Sequence, residues 1–271
     1  MATRVAIQGY KGCFHEQAAR LFYADVTPVE CDTFEQLYEA LDEGRADAAI
    51  MAIENTVSGG LLHNFELLRQ KGRRVKGEVY IRIGQNLMAL PGQRLQDIKE
   101  VRTHYMAINQ TRPWFEQNAP WIRLTESDDT AKSAAQLARS GEKGVGAVAS
   151  ELAARLYGME ILAPGIETHK ENYTRFLILD DSLEVARPDK AVLCFTLPHK
   201  PGSLAQILTV LSFYEMNLTR IQSLPIPGKQ WQYFFYVDIK FADYTRYTQA
   251  LQAIRPLLED MEVLGEYKSA I

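Results

Sequence analysis

At 271 residues, the chain is long enough for two domains with ample core, and its 46% hydrophobic and 24% charged content are those of a soluble globular protein. A net charge near -4 without any basic run excludes a nucleic-acid groove or a patch for anionic membranes. No apolar stretch approaches a membrane span, Met1-Ala2-Thr3-Arg4 enters a strand pattern with no signal-peptide core, and Cys13, Cys31 and Cys194 lie far apart in no metal spacing, which together predict reduced thiols in a cytoplasm.

Arg4-Val5-Ala6-Ile7-Gln8 reads as a strand, followed by the turn Gly9-Tyr10-Lys11-Gly12 and an Ala-rich helix over 14–23. A strand leading through a glycine turn into a helix leaves backbone N–H groups where an anion can bind. The spacing of a dinucleotide fingerprint is missing, which excludes a nucleotide-dependent oxidoreductase. Val29-Glu30-Cys31 is a second strand, Thr33 and Gln36 form a capping box for the next helix, and Gly44 ends it. Residues 48–53 are nearly all apolar, as in a parallel strand covered on both faces. That strand delivers Glu54-Asn55-Thr56-Val57-Ser58-Gly59-Gly60 to its carboxyl end, where open α/β sheets bind ligands. A helix over 61–70 closes this unit.

Alternating Val79, Ile81 and Ile83, then 87–90, predict extended chain crossing into a second lobe. There, 101–104 is a strand end, and a helix over 107–118 is kinked or restarted at Pro113. Residues 122–124 form a strand, and Ser127 or Asp128 caps a helix ending at Gly141. A strand over 145–149 precedes a short helix capped by Ser150 and stopped by Gly158. The polar run 180–190 is the candidate linker. Beyond it, strand (191–197), helix (202–214), strand (218–224), strand (231–240), helix (244–254) and strand (261–267) predict a ferredoxin-like βαββαβ sandwich.

Asn172-Tyr173-Thr174-Arg175-Phe176 opens the apolar run 176–179, read as a buried strand entered from a polar loop. An amide, a hydroxyl and a guanidinium so close together suit a small, oxygen-rich anion. Arg grips a carboxylate with two parallel hydrogen bonds, Asn donates or accepts, and Thr donates to a leaving oxygen. On these five residues alone, an ordinary strand entrance with a surface arginine fits as well.

Five motifs in register change that balance. They are Gly-x-x-Gly-x-Phe-x-Glu-x-Ala-Ala from Gly9 to Ala19, Glu54-Asn55-Thr56 followed by Gly59, Thr103-His104 with Gln110 downstream, Thr130-Ala131-Lys132-Ser133-Ala134-Ala135, and Asn172-x-Thr174-Arg175-Phe176. In this order, over nearly the whole chain, they resemble the prephenate dehydratases that carry a C-terminal ACT regulatory domain. The resemblance implies an α/β fold with a two-lobed, type II periplasmic-binding-protein-like catalytic domain over 1–182 and a ferredoxin-like βαββαβ ACT domain over 190–271. Lobe 1 would hold about 1–80 and 170–182, and lobe 2 about 85–165. A chain beginning directly in the first strand lacks the chorismate mutase segment of some relatives, which implies a monofunctional enzyme.

The implied reaction converts prephenate to phenylpyruvate, water and CO2 in phenylalanine biosynthesis. Forming the aromatic ring supplies the drive, so no metal, flavin or nicotinamide is implied. Thr174 is the family's catalytic position, hydrogen-bonding the departing hydroxyl. Asn55, Thr56, Gly59, His104, Gln110, Thr130, Asn172, Arg175 and Phe176 fall at or beside the substrate. Arg175, backbone N–H groups at the 9–12 turn and the helix start near Thr130 would share its two carboxylates. Phe176 walls the pocket or packs behind Arg175.

Four positions in the catalytic segment depart from the family pattern. Cys13 and His15 stand where relatives have Thr and Ser. Helix positions i and i+2 do not face one another, so an altered cleft wall is expected and not a Cys–His pair. Tyr105-Met106 replace the usual Pro-Gln, which leaves a thioether where an amide would serve. In relatives, phenylalanine binds between paired ACT domains, near a Gly-x-Leu helix start and a Glu-Ser-Arg-Pro segment. Gly202-Ser203-Leu204 and Asn217-Leu218 fit this site, whereas the second segment reads Gln222-Ser223-Leu224-Pro225. The expectation is that L-phenylalanine binds but couples less strongly to catalysis. Strand 232–239 is apolar or aromatic on both faces; its second face predicts burial against another copy, as a homodimer or homotetramer. Arogenate is the nearest alternative substrate. A non-catalytic, amino-acid-sensing binding protein is the other alternative, and the intact 172–176 motif argues against it.

Overall fold

The computed structural model describes residues 2–271; Met1 lies outside the described residues. The chain divides into two compact units. The first holds everything up to Gly59 together with Val79–Phe176, and the second holds Gly60–Glu78 with Leu177–Ile271.

The first unit opens with β1 (Thr3–Gln8), α1 (Phe14–Phe22), β2 (Val26–Cys31), α2 (Phe34–Asp42) and β3 (Ala48–Asn55). β2 and β3 flank β1, both parallel to it. β3 is buried along nearly its whole length, as its unbroken apolar run requires. The cap of α2 is displaced from the expected box. Thr33 accepts from Gln36 N at 3.4 Å, but the Gln36 side chain accepts from Asp32 N at 2.8 Å. Next in the chain are β4 (Gly59–Gly60), α3 (Leu62–Gln70) and β5 (Val75–Arg82).

The second sheet of this unit is built from β6 (Asn86–Ala89), β7 (Glu100–Thr103), β8 (Arg123–Glu126), β9 (Val145–Ala149) and β10 (Glu160–Ala163). Its order is β10-β6-β9-β7-β8, with β7, β8 and β9 parallel and β6 and β10 antiparallel to their neighbours. β10 was not expected from the sequence, because its four residues show no alternation. α4 (Tyr105–Asn118) runs as one element through Pro113 and is not restarted there. The carbonyl that Pro113 cannot serve is that of Asn109, which is exposed and can turn to water. α5 (Thr130–Ser140) is capped by Asp129, not Ser127 or Asp128, and ends on left-handed Gly141. α6 (Glu151–Leu156) is capped by Ser150, as expected. β11 (Tyr173–Leu179) begins earlier than the apolar run suggested, so Thr174 and Arg175 lie inside a strand.

The second unit contains β12 (Lys190–Thr196), α7 (Ser203–Phe213), β13 (Asn217–Pro225), β14 (Tyr233–Lys240), α8 (Tyr244–Ile254) and β15 (Asp260–Tyr267). The strands form an antiparallel sheet ordered β13-β14-β12-β15, the βαββαβ arrangement the sequence predicted. Side chains on β14 alternate between faces. Phe235, Val237 and Ile239 pack with Ile207, Leu211 and Tyr247 of α7 and α8. The opposite face is covered by α3: Phe65 lies 5.4 Å from the Tyr236 ring, and the Arg69 guanidinium sits 4.0 Å from the centre of Phe234. The expectation that this face needs a second copy is therefore corrected, because a helix from earlier in the chain already buries it.

The same unit holds a buried ion pair. Lys190 donates to both Glu78 oxygens, at 3.0 and 2.9 Å, and Tyr267 and Ser269 add hydroxyl donors. Beside it, Gly265 faces Val75 so closely that a Cβ would lie 2.3 Å from the Val75 carbonyl oxygen. Glu78→Gln leaves the Lys190 charge buried without its counter-ion and should cost about 3–5 kcal/mol, whereas Glu78→Leu with Lys190→Met should recover most of that. Urea unfolding of the three proteins checks this; a single variant within about 1 kcal/mol of the parent would contradict it.

Candidate active site

The amide of Asn55, at the end of β3, gathers the motif residues. Its Nδ2 donates to Asn172 Oδ1 at 2.7 Å, to Thr174 Oγ1 at 2.9 Å and, more loosely, to the Tyr173 carbonyl at 3.2 Å. Its Oδ1 accepts from Val57 N and Ser58 N, at 2.9 and 2.8 Å. Thr56 reinforces the junction: its N–H donates to the Tyr173 carbonyl, its hydroxyl donates to the Glu171 carbonyl at 3.0 Å, and that hydroxyl accepts from Tyr173 N at 2.9 Å. Gly59, which closes this turn, has φ +81°. Asn172 is 1% exposed and its Nδ2 has no hydrogen-bond partner among the described residues. Thr174 is 8% exposed.

Arg175 does not join Thr174. Neighbouring strand residues leave opposite faces, and the contacts follow that rule. Thr174 meets Asn55, whereas Arg175, 4% exposed, lies 4.0 Å from Glu54 Oε2 and 6.0 Å from the centre of the Tyr80 ring. Glu54 and Asn55 diverge on β3 in the same way. Phe176 returns to the Thr174 side and is buried edge-to-face against His15, with ring centroids 4.9 Å apart.

The 9–12 turn is not an open anion nest. Gly9 N donates to the Cys31 carbonyl at 2.8 Å, Lys11 N to Glu30 at 2.7 Å, and Gly12 N to Glu16 Oε2 at 2.6 Å. Buried Glu16 is itself held by Arg20. The glycines instead allow close docking. A Cβ on Gly12 (φ +91°) would lie 2.7 Å from Ala153 Cα in α6, and one on Gly9 (φ +104°) 2.9 Å from Asp129 Oδ2. Ser150 Oγ donates to the Gly12 carbonyl at 2.5 Å, and the Tyr157 hydroxyl to that of Lys11 at 2.7 Å. Half-buried Thr130 begins α5, but the Asp129 carboxylate occupies that helix start, accepting from Lys132 N at 2.8 Å. Burial, the largest influence, raises the Asp129 pKa, against backbone donors that lower it. Glu16, Asp129 and Glu54 were missed as partners, although each stands within or beside a quoted motif.

Cys13 and His15 do not make a reactive pair. Burial pushes the Cys13 thiol well above its ordinary range, and its Sγ contacts the Gln8 carbonyl at 3.6 Å. The His15 imidazole, pushed down to about 3 by burial, stays neutral and accepts weakly from Ala52 N at 3.4 Å. It packs edge-to-face against Phe176 and is buried. His104 caps α4, its Nδ1 accepting from Met106 N at 3.3 Å. Gln110 braces a loop: its side chain accepts from Gln85 at 3.1 Å, and its carbonyl accepts from Thr168 N at 2.8 Å.

Comparison with known proteins decides the family. Residues 5–183 match the family model described as prephenate dehydratase. A bifunctional chorismate mutase/prephenate dehydratase from Aquifex aeolicus is 33% identical over 99% of this chain and 74% of its own length. The chain belongs to the prephenate dehydratase family. Arogenate dehydratase 2 of Petunia hybrida is 34% identical over 98% of this chain and 72% of the relative. Among solved structures, prephenate dehydratase from Arthrobacter aurescens in complex with L-Phe is 29% identical with a TM-score of 0.85, covering 98% of this chain and 89% of that one. A protein described as a novel type of quorum quenching acylase is 30% identical with a TM-score of 0.88, covering 98% of both chains.

In this dehydratase the positions matched to an effector site fall into separate groups. Ser203 and Leu204, after left-handed Gly202, line a cavity of about 130 Å³ with Trp231, Tyr233 and Phe235. Asn217 lines another, of about 480 Å³, with Asp189 and Lys240, and Leu218 follows it on β13. The eleven residues of α7 separate the two groups by roughly 16 Å at 1.5 Å per residue. Gln222 donates to the Ser223 carbonyl at 3.1 Å, and Leu224 is buried.

His15 gives a pH prediction. Its folded pKa lies below the unfolded value, so its stabilising contribution is complete above about pH 6.5 and is lost as pH falls toward 3. His15→Gln should gain on the parent by roughly 3 kcal/mol between pH 6.5 and 4. Denaturant unfolding at both pH values checks this, and a pH-independent difference between the proteins would contradict it.

Proposed function

We propose that this dehydratase acts on prephenate and that Thr174 donates a hydrogen bond to the departing ring hydroxyl. The observation that carries this reading is the Thr174 hydroxyl, which receives the Asn55 amide on a lone pair and has no acceptor for its own proton among the described residues. As the ring–carboxylate bond breaks, its electron pair enters the ring and the ring C–O bond breaks. The leaving oxygen takes up one proton, so phenylpyruvate, CO2 and water form. A threonine hydroxyl is too weak an acid to release a free proton readily, so its contribution is a well-aimed donor that strengthens as charge grows on the oxygen.

Within this reading Asn55, Thr56, Gly59 and Asn172 shape the site around Thr174. Arg175 lies on the other face of β11, beside Glu54 and Tyr80, and remains the proposed partner of a substrate carboxylate. His104 and Gln110 act through the helix start and the loop they brace, and Thr130 stays a substrate-contact proposal at the start of α5. Arogenate stays the alternative substrate, because the family includes arogenate dehydratases. We place the enzyme in the cytoplasm; no helix among the described residues is long and apolar enough to cross a membrane.

The C-terminal βαββαβ segment, 190–271, is proposed as an ACT domain that binds L-phenylalanine. A solved relative in complex with L-Phe and the left-handed Gly202 start of α7 support this. Because α7 separates Gly202-Ser203-Leu204 from Asn217-Leu218, one effector site drawing on both groups takes them from two chains, which favours a homodimer or homotetramer.

Thr174→Val keeps the shape and removes the donor, so kcat should fall by about 100- to 1000-fold with the fold intact. Near-parental turnover would remove Thr174 from the mechanism. Calorimetry with L-phenylalanine, alongside a rate assay, should show heat of binding with weak inhibition, because coupling is a difference in affinity between two states and not binding itself. Absence of both would remove the effector site.

A further inference from the structure

We infer that Asn55 is a positioning residue, whose amide fixes the direction in which the Thr174 hydroxyl donates. The inference rests on the proposed role of Thr174 and deepens it.

Val57 N–H and Ser58 N–H both point at Asn55 Oδ1, at 2.9 and 2.8 Å. Exchanging the amide's oxygen and nitrogen would set an NH2 group against two N–H donors, so the turn admits only one orientation. In that orientation Nδ2 faces Thr174 Oγ1 at 2.9 Å and Asn172 Oδ1 at 2.7 Å. An amide nitrogen cannot accept a hydrogen bond. The Thr174 proton therefore cannot turn inward to Asn55, and the hydroxyl is left to donate away from it. Donation into the hydroxyl oxygen also polarises its O–H bond and strengthens the bond it gives. Buried Asn172, which accepts the second Nδ2 hydrogen, keeps the amide from rotating. The direction of one hydroxyl is thus written by two backbone N–H groups, through one side chain.

Asn55→Asp tests this. The carboxylate still accepts from Val57 N and Ser58 N, but it now presents an acceptor to Thr174 and draws the hydroxyl proton inward. Kinetics on the full chain would compare the parent, Asn55→Asp, Asn55→Ala, Thr174→Val and the double variant Asn55→Asp/Thr174→Val, each first checked by thermal melting. Asn55→Asp should lower kcat by about 100-fold with KM changed by less than about threefold. Its kcat should recover as pH falls and the carboxyl regains a proton, after subtraction of the enzyme-free rate; Thr174→Val should show no such recovery. The double variant should be within about threefold of Thr174→Val, because a residue acting through Thr174 has nothing left to direct.

Asn55→Ala lacks the donor without adding charge and should also lose kcat, which keeps the test valid if the aspartate variant melts early. If Thr174→Val turns over like the parent, the underlying reading of Thr174 fails. If Thr174→Val is impaired while Asn55→Asp and Asn55→Ala stay within about threefold of the parent, this inference fails alone. Losses that multiply in the double variant also overturn it, by showing that Asn55 acts independently.

Discussion

One amide ties together segments more than a hundred residues apart in sequence. Asn55 leaves the end of a buried strand, is oriented by the next two backbone N–H groups, and closes on Asn172 and Thr174. Thr56 joins the same two segments through Glu171 and Tyr173. Each hydrogen bond is modest in net energy, but leaving such buried groups without partners would cost more than the bonds gain. The constraint therefore specifies geometry more than it stabilises. It holds a threonine hydroxyl near the start of a buried strand.

Glycines and carboxylates complete that frame. Gly9 and Gly12 give up side chains so that the first turn can approach Asp129 and Ala153 at distances no Cβ would allow. The N–H groups freed by that turn go to Glu30, Glu16 and the Cys31 carbonyl. A strand–glycine–helix pattern can serve as an anion nest or as a docking surface, and here buried Glu16 and exposed Glu30 already take two of the N–H groups an anion would need. In the second unit, α3 lies on the sheet face opposite α7 and α8, with Phe65 and Arg69 against Tyr236 and Phe234.

Much of this was legible in the sequence. The unbroken apolar run of β3, the βαββαβ order of the C-terminal segment and the Asn172-x-Thr174-Arg175-Phe176 motif all lie within short windows where periodicity and side-chain chemistry speak directly. The opposed directions of Thr174 and Arg175 were legible too, once the motif is read as strand and not as loop. Other features depend on distant partners that no local pattern names. Nothing near Phe65 says that it packs on a strand 170 residues later, and the burial of Glu78 follows from Lys190, Tyr267 and Ser269 arriving around it. The contact of His15 with Phe176 is of the same kind, joining residues 161 positions apart in sequence.

The central claim is dehydratase chemistry on prephenate. Its most direct test is to mix the purified protein with prephenate at neutral pH and follow phenylpyruvate by absorbance, with arogenate run in parallel. The expected rate saturates with prephenate and scales with enzyme concentration. A prephenate rate no greater than that of the enzyme-free solution would contradict it.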